Sequence, residues 1–147
     1  MISFLLRDKK LKLDDSVTKY IESFLYPEVK IVHLLTHSSG LKALFSKYDL
    51  KDKREFIERL ALEFEPGTNI RYVDINFILL GFIVEKIYGD TIDNLADKYI
   101  FKPLDMKDSC FNPKDIDRCV PTELTENRGL VVGTVHDEKA AFLGGVA

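Results

Sequence analysis

Residues 64–89 read FEPGTNIRYVDINFILLGFIVEKIYG, and this segment indicates how the chain folds. The part from Asp74 to Tyr88 is apolar on nearly every side, which is typical of a buried central helix. Asp74 can cap the start of that helix, and Gly89 suits the left-handed position just past its end. The Pro-Gly-Thr-Asn sequence at residues 66–69 is typical of a turn. The segment therefore predicts a turn followed by a central helix.

Helical patterns also flank this segment, with Pro27 and Ser38-Ser39-Gly40 as breakers between them. Thr91 can cap a helix that follows, which Pro103 stops. The predicted helices on the N-terminal side are an opening apolar turn, a segment after Asp14-Asp15, a segment through Ile31 to Thr36, and residues 52–64 with Phe56, Ile57, Leu60 and Phe64 on one face. The helix after Thr91 has a predicted inner face of Ile92, Leu95, Tyr99 and Ile100.

From Lys102 onward the sequence shows little periodicity, which is unusual for so long a stretch of a compact domain. The short piece Leu130-Val131-Val132 favours a strand, and the apolar tail at residues 140–147 is expected to pack on something else. We predict a mainly α fold in a single domain, residues 1–147. Residues 1–103 would form its helical core, and residues 104–147 an irregular segment.

Composition excludes several classes of function. The 147 residues are 46% apolar and carry a formal charge of −3, so no basic excess favours nucleic acid or an anionic membrane. The longest apolar stretch, Ile75 to Val84, is too short to cross a bilayer, and no export signal is visible, so we expect a cytoplasmic chain. Cys110 and Cys119 are expected to be free thiols.

Four blocks carry a resemblance to a known family: LLTHSSGL at residues 34–41, the segment at residues 64–89, IFKPLDMKDSCF at residues 100–111, and RGLVVGTVHDEKAAFLGGVA at residues 128–147. Together they resemble the serine β-lactamase-related family, which includes class C β-lactamases, D-alanyl-D-alanine carboxypeptidases and related esterases. The family's chemistry uses a Ser-x-x-Lys pair, a Tyr-x-Asn motif, and a Lys-Thr-Gly or His-x-Gly motif on a strand.

The resemblance implies that Tyr72 and Asp74 stand at the Tyr-x-Asn positions, as vestiges of a catalytic site. Asp74 replaces the usual Asn, a variant more like the esterase-type relatives. The Leu-Asp-Asp segment that follows the family's nucleophile begins here at Leu13, and the sequence ends before the strand motif. The resemblance therefore implies the helical subdomain of a β-lactamase-like fold, with most of the α/β subdomain missing and no activity alone.

Two alternatives stay open. Ser16 and Lys19 form a literal Ser-x-x-Lys, so a minimal hydrolase using Ser16, Lys19 and Tyr72 is conceivable, although an exposed helix start suits Ser16 better. Alternatively, the chain is an interaction module that complements a separate chain or self-associates through apolar surface. No cofactor is expected in any of these readings, and the fragment interpretation predicts no small-molecule substrate for the chain alone.

The remaining candidates favour structural roles. His33 and His37 are four residues apart and would share a helix face, but no further ligand completes a metal site, and His37 is expected to bond the turn at Ser38-Ser39-Gly40. His136-Asp137 looks like the cap of a short helix. Cys110 has no basic partner in sequence that would make it a nucleophile.

Overall fold

A computed structural model describes residues 1–42, 60–137 and 141. The chain divides into two compact units, Met1–Ile92 and Asp93–Ala147, so the boundary lies about ten residues before the change in sequence character at Pro103. That all 147 residues form one domain stays a prediction. In the described ranges, no helix is long and apolar enough to span a membrane.

The first unit is built from three α-helices and one 3₁₀ turn in its described part. Helix α1 is Ile2–Arg7, a 3₁₀ turn covers Val17–Lys19, α2 is Ile31–Leu35 and α3 is Asp74–Tyr88. The helical pattern predicted after Asp14-Asp15 is therefore a single 3₁₀ turn in the structure. Helices α2 and α3 pack against each other.

Helix α3 matches the predicted central helix from its first residue to its last. Gly89 follows it with φ +70, as the left-handed C-terminal position requires. The N-terminal prediction was wrong in one detail, because the capping residue is Val73 and Asp74 is the first helical residue. A carboxylate in the first turn still interacts favourably with the positive end of the helix dipole.

The core of the first unit is apolar and draws on every described helix. Its fully buried side chains lie on α1, on the 3₁₀ turn, within α2 and in the chain just before and after it, and on the inner face of α3. They are Leu5, Val17, Val29, Ile31, Leu34, Leu41, Ile75, Leu79 and Ile83, with Leu11 between α1 and the 3₁₀ turn.

Two chain segments far apart in sequence meet beside this core. Leu41 pairs with Leu62 in an antiparallel bridge, and the Lys42 amide donates to the Ala61 carbonyl at 2.8 Å. This corrects the helix predicted for residues 52–64 over its last five residues, which are extended or bent. Leu60 is nevertheless buried, as the periodicity predicted. The rest of that predicted helix lies outside the described residues.

The second unit contains little regular structure in its described part. Helix α4, Ile92–Ala96, starts at the boundary and continues into one π-helical turn, Asp97–Phe101. Leu95 is buried, as predicted for the inner face, but the π-helical turn changes the face presented, so Tyr99 is exposed, contrary to the prediction. A 3₁₀ turn, Ile116–Arg118, follows.

A two-stranded antiparallel hairpin closes the described part of the second unit. Strands β1, Glu123–Thr125, and β2, Gly129–Val131, pair Leu124 with Leu130, which confirms the predicted strand near Leu130. The Arg128 guanidinium donates to the carbonyls of Val135 and His136 at 2.6 and 2.9 Å. The chain after the hairpin is thereby fastened to its turn.

Candidate active site

The end of α2 places His37 outside the helix. The amide of Ser38 donates to the carbonyl of His33 at 2.8 Å, and the amide of His37 donates to that of Leu34 at 3.3 Å. These two bonds form a Schellman motif, whose left-handed position is usually glycine. Here it is His37, with φ +54. His33 and His37 therefore do not share a helix face, and that part of the sequence prediction was wrong.

The segment that carries Tyr72 is bonded to this turn. The amide of Arg71 donates to the carbonyl of His37, and the amide of Gly67 donates to that of Ser38, both at 2.8 Å. Arg71 also forms an ion pair with Glu63. The backbone that leads into α3 is therefore fixed directly against the end of α2.

Tyr72 points to solvent from this fixed backbone. Val73 has an extended conformation, φ −144 and ψ 136, so the side chains before and after it lie on the side opposite its own. Val73 is buried, whereas Tyr72 is 77% exposed. Asp74, which starts α3 on the same side as Tyr72, is partly buried. The two residues singled out by the Tyr-x-Asn likeness thus begin on one side of the chain.

Three aromatic rings meet where α2 ends and α3 begins. The His37 ring lies with its centroid 4.6 Å from that of Tyr72, tilted by 41°. On α3, the Phe77 ring stacks on His37 at 5.2 Å and 27°. Sequence reasoning missed this cluster, because His37 and Tyr72 are 35 positions apart and only the tertiary fold brings them together.

A buried amide lies beneath the rings. Asn76 on α3 is fully buried, and its Oδ1 accepts the Ser39 hydroxyl at 2.6 Å. Its Nδ2 lies 3.0 Å from His37 Nδ1. The sequence prediction that His37 bonds the Ser38-Ser39-Gly40 turn was wrong, since its ring bonds Asn76. A polar residue in so apolar a helix was the available signal for this network, because buried amides need partners.

A profile of the beta-lactamase family matches residues 1–145, nearly the whole sequence. The chain belongs to the beta-lactamase family. A putative D-alanyl-D-alanine carboxypeptidase of Escherichia coli K12 is 33% identical over an alignment of 181 positions, which covers 97% of this chain and 42% of that protein. The chain therefore spans less than half the length of the curated relatives it matches.

Part of the fold of larger solved structures superposes on this chain. FmtA from Staphylococcus aureus superposes with a TM-score of 0.73 at 20% identity, over 89% of this chain and 39% of FmtA. EstCE1, a hydrolase with promiscuous acyltransferase activity, gives a TM-score of 0.68 at 21% identity, over 90% of this chain and 41% of that one. At these identities the likeness concerns the fold alone.

The literal Ser-x-x-Lys of the chain, Ser16 to Lys19, makes local contacts. Ser16 caps the 3₁₀ turn, bonding the hydroxyl of Thr18 at 2.8 Å and accepting from its amide at 3.3 Å. The ammonium of Lys19 binds Asp15 at 2.9 Å. In these contacts Ser16 bonds Thr18 and Lys19 bonds Asp15, so neither contact joins the serine to the lysine.

A second literal match, Ser39 to Lys42, was missed by the sequence reasoning. Ser39 is buried, and its hydroxyl donates to Asn76 and accepts from the amide of Leu41 at 3.2 Å. Both roles of the hydroxyl are therefore structural.

The other candidates have structural partners. His33 Nδ1 accepts from the amide of Lys30 at 3.2 Å, and burial, together with the nearby Lys30 charge, lowers the pKa of His33. His136 Nε2 lies 2.9 Å from a carboxylate oxygen of Glu123. Cys110 and Cys119 are free thiols, as predicted. No group of three or more potential metal ligands occurs within residues 1–42, 60–137 and 141.

Proposed function

We propose that this chain supplies the helical part of the active site of an acyl-transferring serine hydrolase, with Tyr72 as its general acid and base. The observation that carries the proposal is the exposed phenol of Tyr72 on a backbone bonded to the end of α2. A proton-transferring group must reach the substrate while its own backbone stays fixed. Membership of the beta-lactamase family supports the same role.

The substrate class follows from the same comparison. The E. coli relative, named as a putative D-alanyl-D-alanine carboxypeptidase, points to acyl-D-alanine substrates. Asp74, however, exchanges an amide donor for a carboxylate two residues after Tyr72, and this variant resembles the esterase-type relatives more than the lactamases. We propose that the complete site acts on acyl esters or D-alanyl peptides rather than on β-lactam antibiotics.

On its own, the chain is proposed to be the helical subdomain of the fold and catalytically silent. A serine hydroxyl becomes a nucleophile only beside a base that takes its proton. The contacts of Ser16 and Lys19 described above use both groups for local structure. Tyr72 and Asp74 would then be competent only when the nucleophile motif and the strand motif of the family are supplied.

Silence of the isolated chain is tested with a chromogenic cephalosporin and a p-nitrophenyl ester. We expect no turnover above that of Tyr72→Phe. A fluorophosphonate added to the same sample should leave Ser16 unmodified in peptide mass spectra. Stoichiometric labelling of Ser16, or hydrolysis lost in Tyr72→Phe, would instead establish the minimal hydrolase that uses Ser16, Lys19 and Tyr72.

The role of Tyr72 is tested by exchanging these residues for the matching part of the E. coli carboxypeptidase relative. In a folded chimera, Tyr72→Phe should slow acylation by a fluorescent acyl ester by about 10²–10⁴-fold, the usual contribution of a general acid or base. Tyr99→Phe, which alters an exposed tyrosine in the second unit, is the matched control and should leave the rate unchanged. Equal rates in the two variants would reject the proposal.

Self-association is a second candidate, favoured by exposed apolar side chains in the first unit. Leu25, Ile70 and Phe77 are each more than half exposed. Leu5, in the apolar N-terminal segment, is buried in α1 and does not contribute to such a surface. Sedimentation velocity should then show a concentration-dependent dimer, whereas a monomer at several hundred micromolar would reject this candidate.

A further inference from the structure

The hydrogen bonds beneath the ring cluster have a direction. The amide of Leu41 donates to Ser39 Oγ at 3.2 Å, so the hydroxyl proton of Ser39 is free to donate onward to Asn76 Oδ1 at 2.6 Å. The carboxamide of Asn76 is thereby oriented, with its Nδ2 as the donor towards His37 Nδ1 at 3.0 Å. Reversing the amide would take the acceptor away from the buried Ser39 hydroxyl, which is unfavourable.

The direction of these hydrogen bonds determines the tautomer of the neutral His37 ring. A ring nitrogen that accepts a hydrogen bond carries no proton, so Nδ1 of His37 is bare and the proton of the neutral imidazole is on Nε2. The His37 backbone is fixed as well, by the Schellman motif at the end of α2 and by the amide of Arg71. Its ring is then held on one edge by Asn76 and on one face by Phe77.

We propose that His37 is a positioning residue for Tyr72, and that the relay from Leu41 through Ser39 and Asn76 holds its ring in place for that purpose. The Tyr72 side chain is mostly exposed, and the His37 ring, 4.6 Å away, limits the directions its phenol can take. A reacting group held in a narrow range of orientations reacts faster than one that rotates freely. The catalytic benefit of positioning Tyr72 rests on the proposed function. The ring contact and the tautomer of His37 can be measured without any turnover.

The test uses nuclear magnetic resonance on the complete 147-residue chain, labelled with ¹⁵N and ¹³C. Two-bond couplings between the ring protons and nitrogens of His37 should report the Nε2–H tautomer. Nuclear Overhauser effects should connect the His37 ring with the Tyr72 ring, whose signals Tyr72→Phe identifies. An Nδ1–H tautomer, or absence of these effects, would overturn the proposal.

Two variants separate positioning from mere structural support. His37→Asn keeps a residue that tolerates the left-handed conformation but removes the ring. The Tyr72 ring signals should then move towards random-coil positions, while those of Tyr20, which donates to Asp15 in a different part of the first unit, stay in place. Asn76→Asp offers a carboxylate to both partners and should move the His37 proton to Nδ1, which tests the direction of the hydrogen bonds that hold the ring, whereas His37→Asn tests the effect on Tyr72.

Unchanged Tyr72 signals in His37→Asn would overturn the proposal, as would an unchanged His37 tautomer in a folded Asn76→Asp. If Asn76→Asp does not fold, His37→Asn decides alone. Failure of the proposed function has a different readout, since it would appear as equal acylation rates of the Tyr72→Phe and Tyr99→Phe chimeras. The ring contacts would be unaffected by that result.

Discussion

At the scale of single residues, Gly40 is the position with the least freedom to change. It lies in the left-handed region, with φ +77, and a Cβ there would overlap the carbonyl oxygen of Phe64. The carbonyl of Gly40 also accepts from the amide of Glu63 at 2.8 Å. The close contact comes from Phe64 and the hydrogen bond from Glu63, both more than 20 positions away. The turn that precedes Leu41 depends on both.

Gly40→Ala should therefore lower the free energy of unfolding by at least about 2 kcal/mol, because it adds left-handed strain to a clash with the backbone. Gly81→Ala is the matched control, since Gly81 is in α3 and a Cβ there would meet nothing within 4 Å. That substitution should stabilise the chain by about 0.5–1 kcal/mol. Urea unfolding of both variants measures this, and destabilisations of equal size would contradict the interpretation.

Asp15 gives a second prediction at this scale. Burial opposes ionisation of its carboxylate, but hydrogen bonds from Tyr20 at 2.6 Å, Lys19 at 2.9 Å and the amide of Lys12 at 2.8 Å outweigh burial and lower its pKa. Asp15→Asn should cost about 1–3 kcal/mol of unfolding free energy near neutral pH. The side chain of Asp15 is only 14% exposed, so solvent screens these bonds little.

The pH dependence of that cost has a defined sign. Because the pKa of Asp15 in the folded chain lies below its unfolded value of about 3.9, its contribution is complete above that value and is lost as the pH falls through the folded pKa. The difference between wild type and Asp15→Asn should shrink accordingly in thermal melts below pH 4. Asp14→Asn, whose side chain is 87% exposed, should leave the melting midpoint almost unchanged throughout.

At the scale of elements, α3 could be predicted from the sequence because local signals agree over its whole length. The apolar run at residues 77–84, an acidic first residue and Gly89 after the end act within one helix. Residues 60–64 were predicted as helix and are not, because the pairing of Leu62 with Leu41 overrides local periodicity. The meeting of His37 with Tyr72 could not be predicted for the same reason, since it depends on how α2 packs against α3.

The packing of α3 yields a prediction for this element. Leu79 is 0% exposed on its inner face, and Leu79→Ala should lower the free energy of unfolding by about 2–5 kcal/mol through lost contacts and the cavity that remains. Leu25→Ala removes the same atoms from a side chain that is 61% exposed, and it should have a small effect. Chemical denaturation compares the two, and equal effects would mean that α3 does not form the core.

At the scale of the whole molecule, the two units differ in how much apolar surface they bury. Among the described residues, the buried apolar side chains of the second unit are Leu95, Ala96 and Val131, whereas the first unit buries Ile31 and Leu34 of α2 and the inner face of α3. The hairpin leaves both Leu124 and Leu130 exposed. A two-stranded hairpin with so little burial is marginally stable in water.

Hydrogen exchange should therefore follow the division into units. Amides of β1 and β2 are expected to exchange much faster than those of α3, because local opening requires less free energy where few apolar contacts are lost. Mass spectrometry of peptides after deuterium labelling measures both regions in one sample. Protection of the hairpin equal to that of α3 would show that both units open only in a single global unfolding step.

The bridge between Leu41 and Leu62 has an evolutionary consequence. It joins the segments that precede and follow residues 43–59, and the hydrogen bond between Lys42 and Ala61 adds to this pairing. In general, each doubling in the number of residues between two joined points of a chain adds only about 0.6 kcal/mol to the cost of joining them. Relatives can therefore gain or lose residues between the positions of Leu41 and Leu62. Such changes leave the contact between the His37 and Tyr72 rings in place.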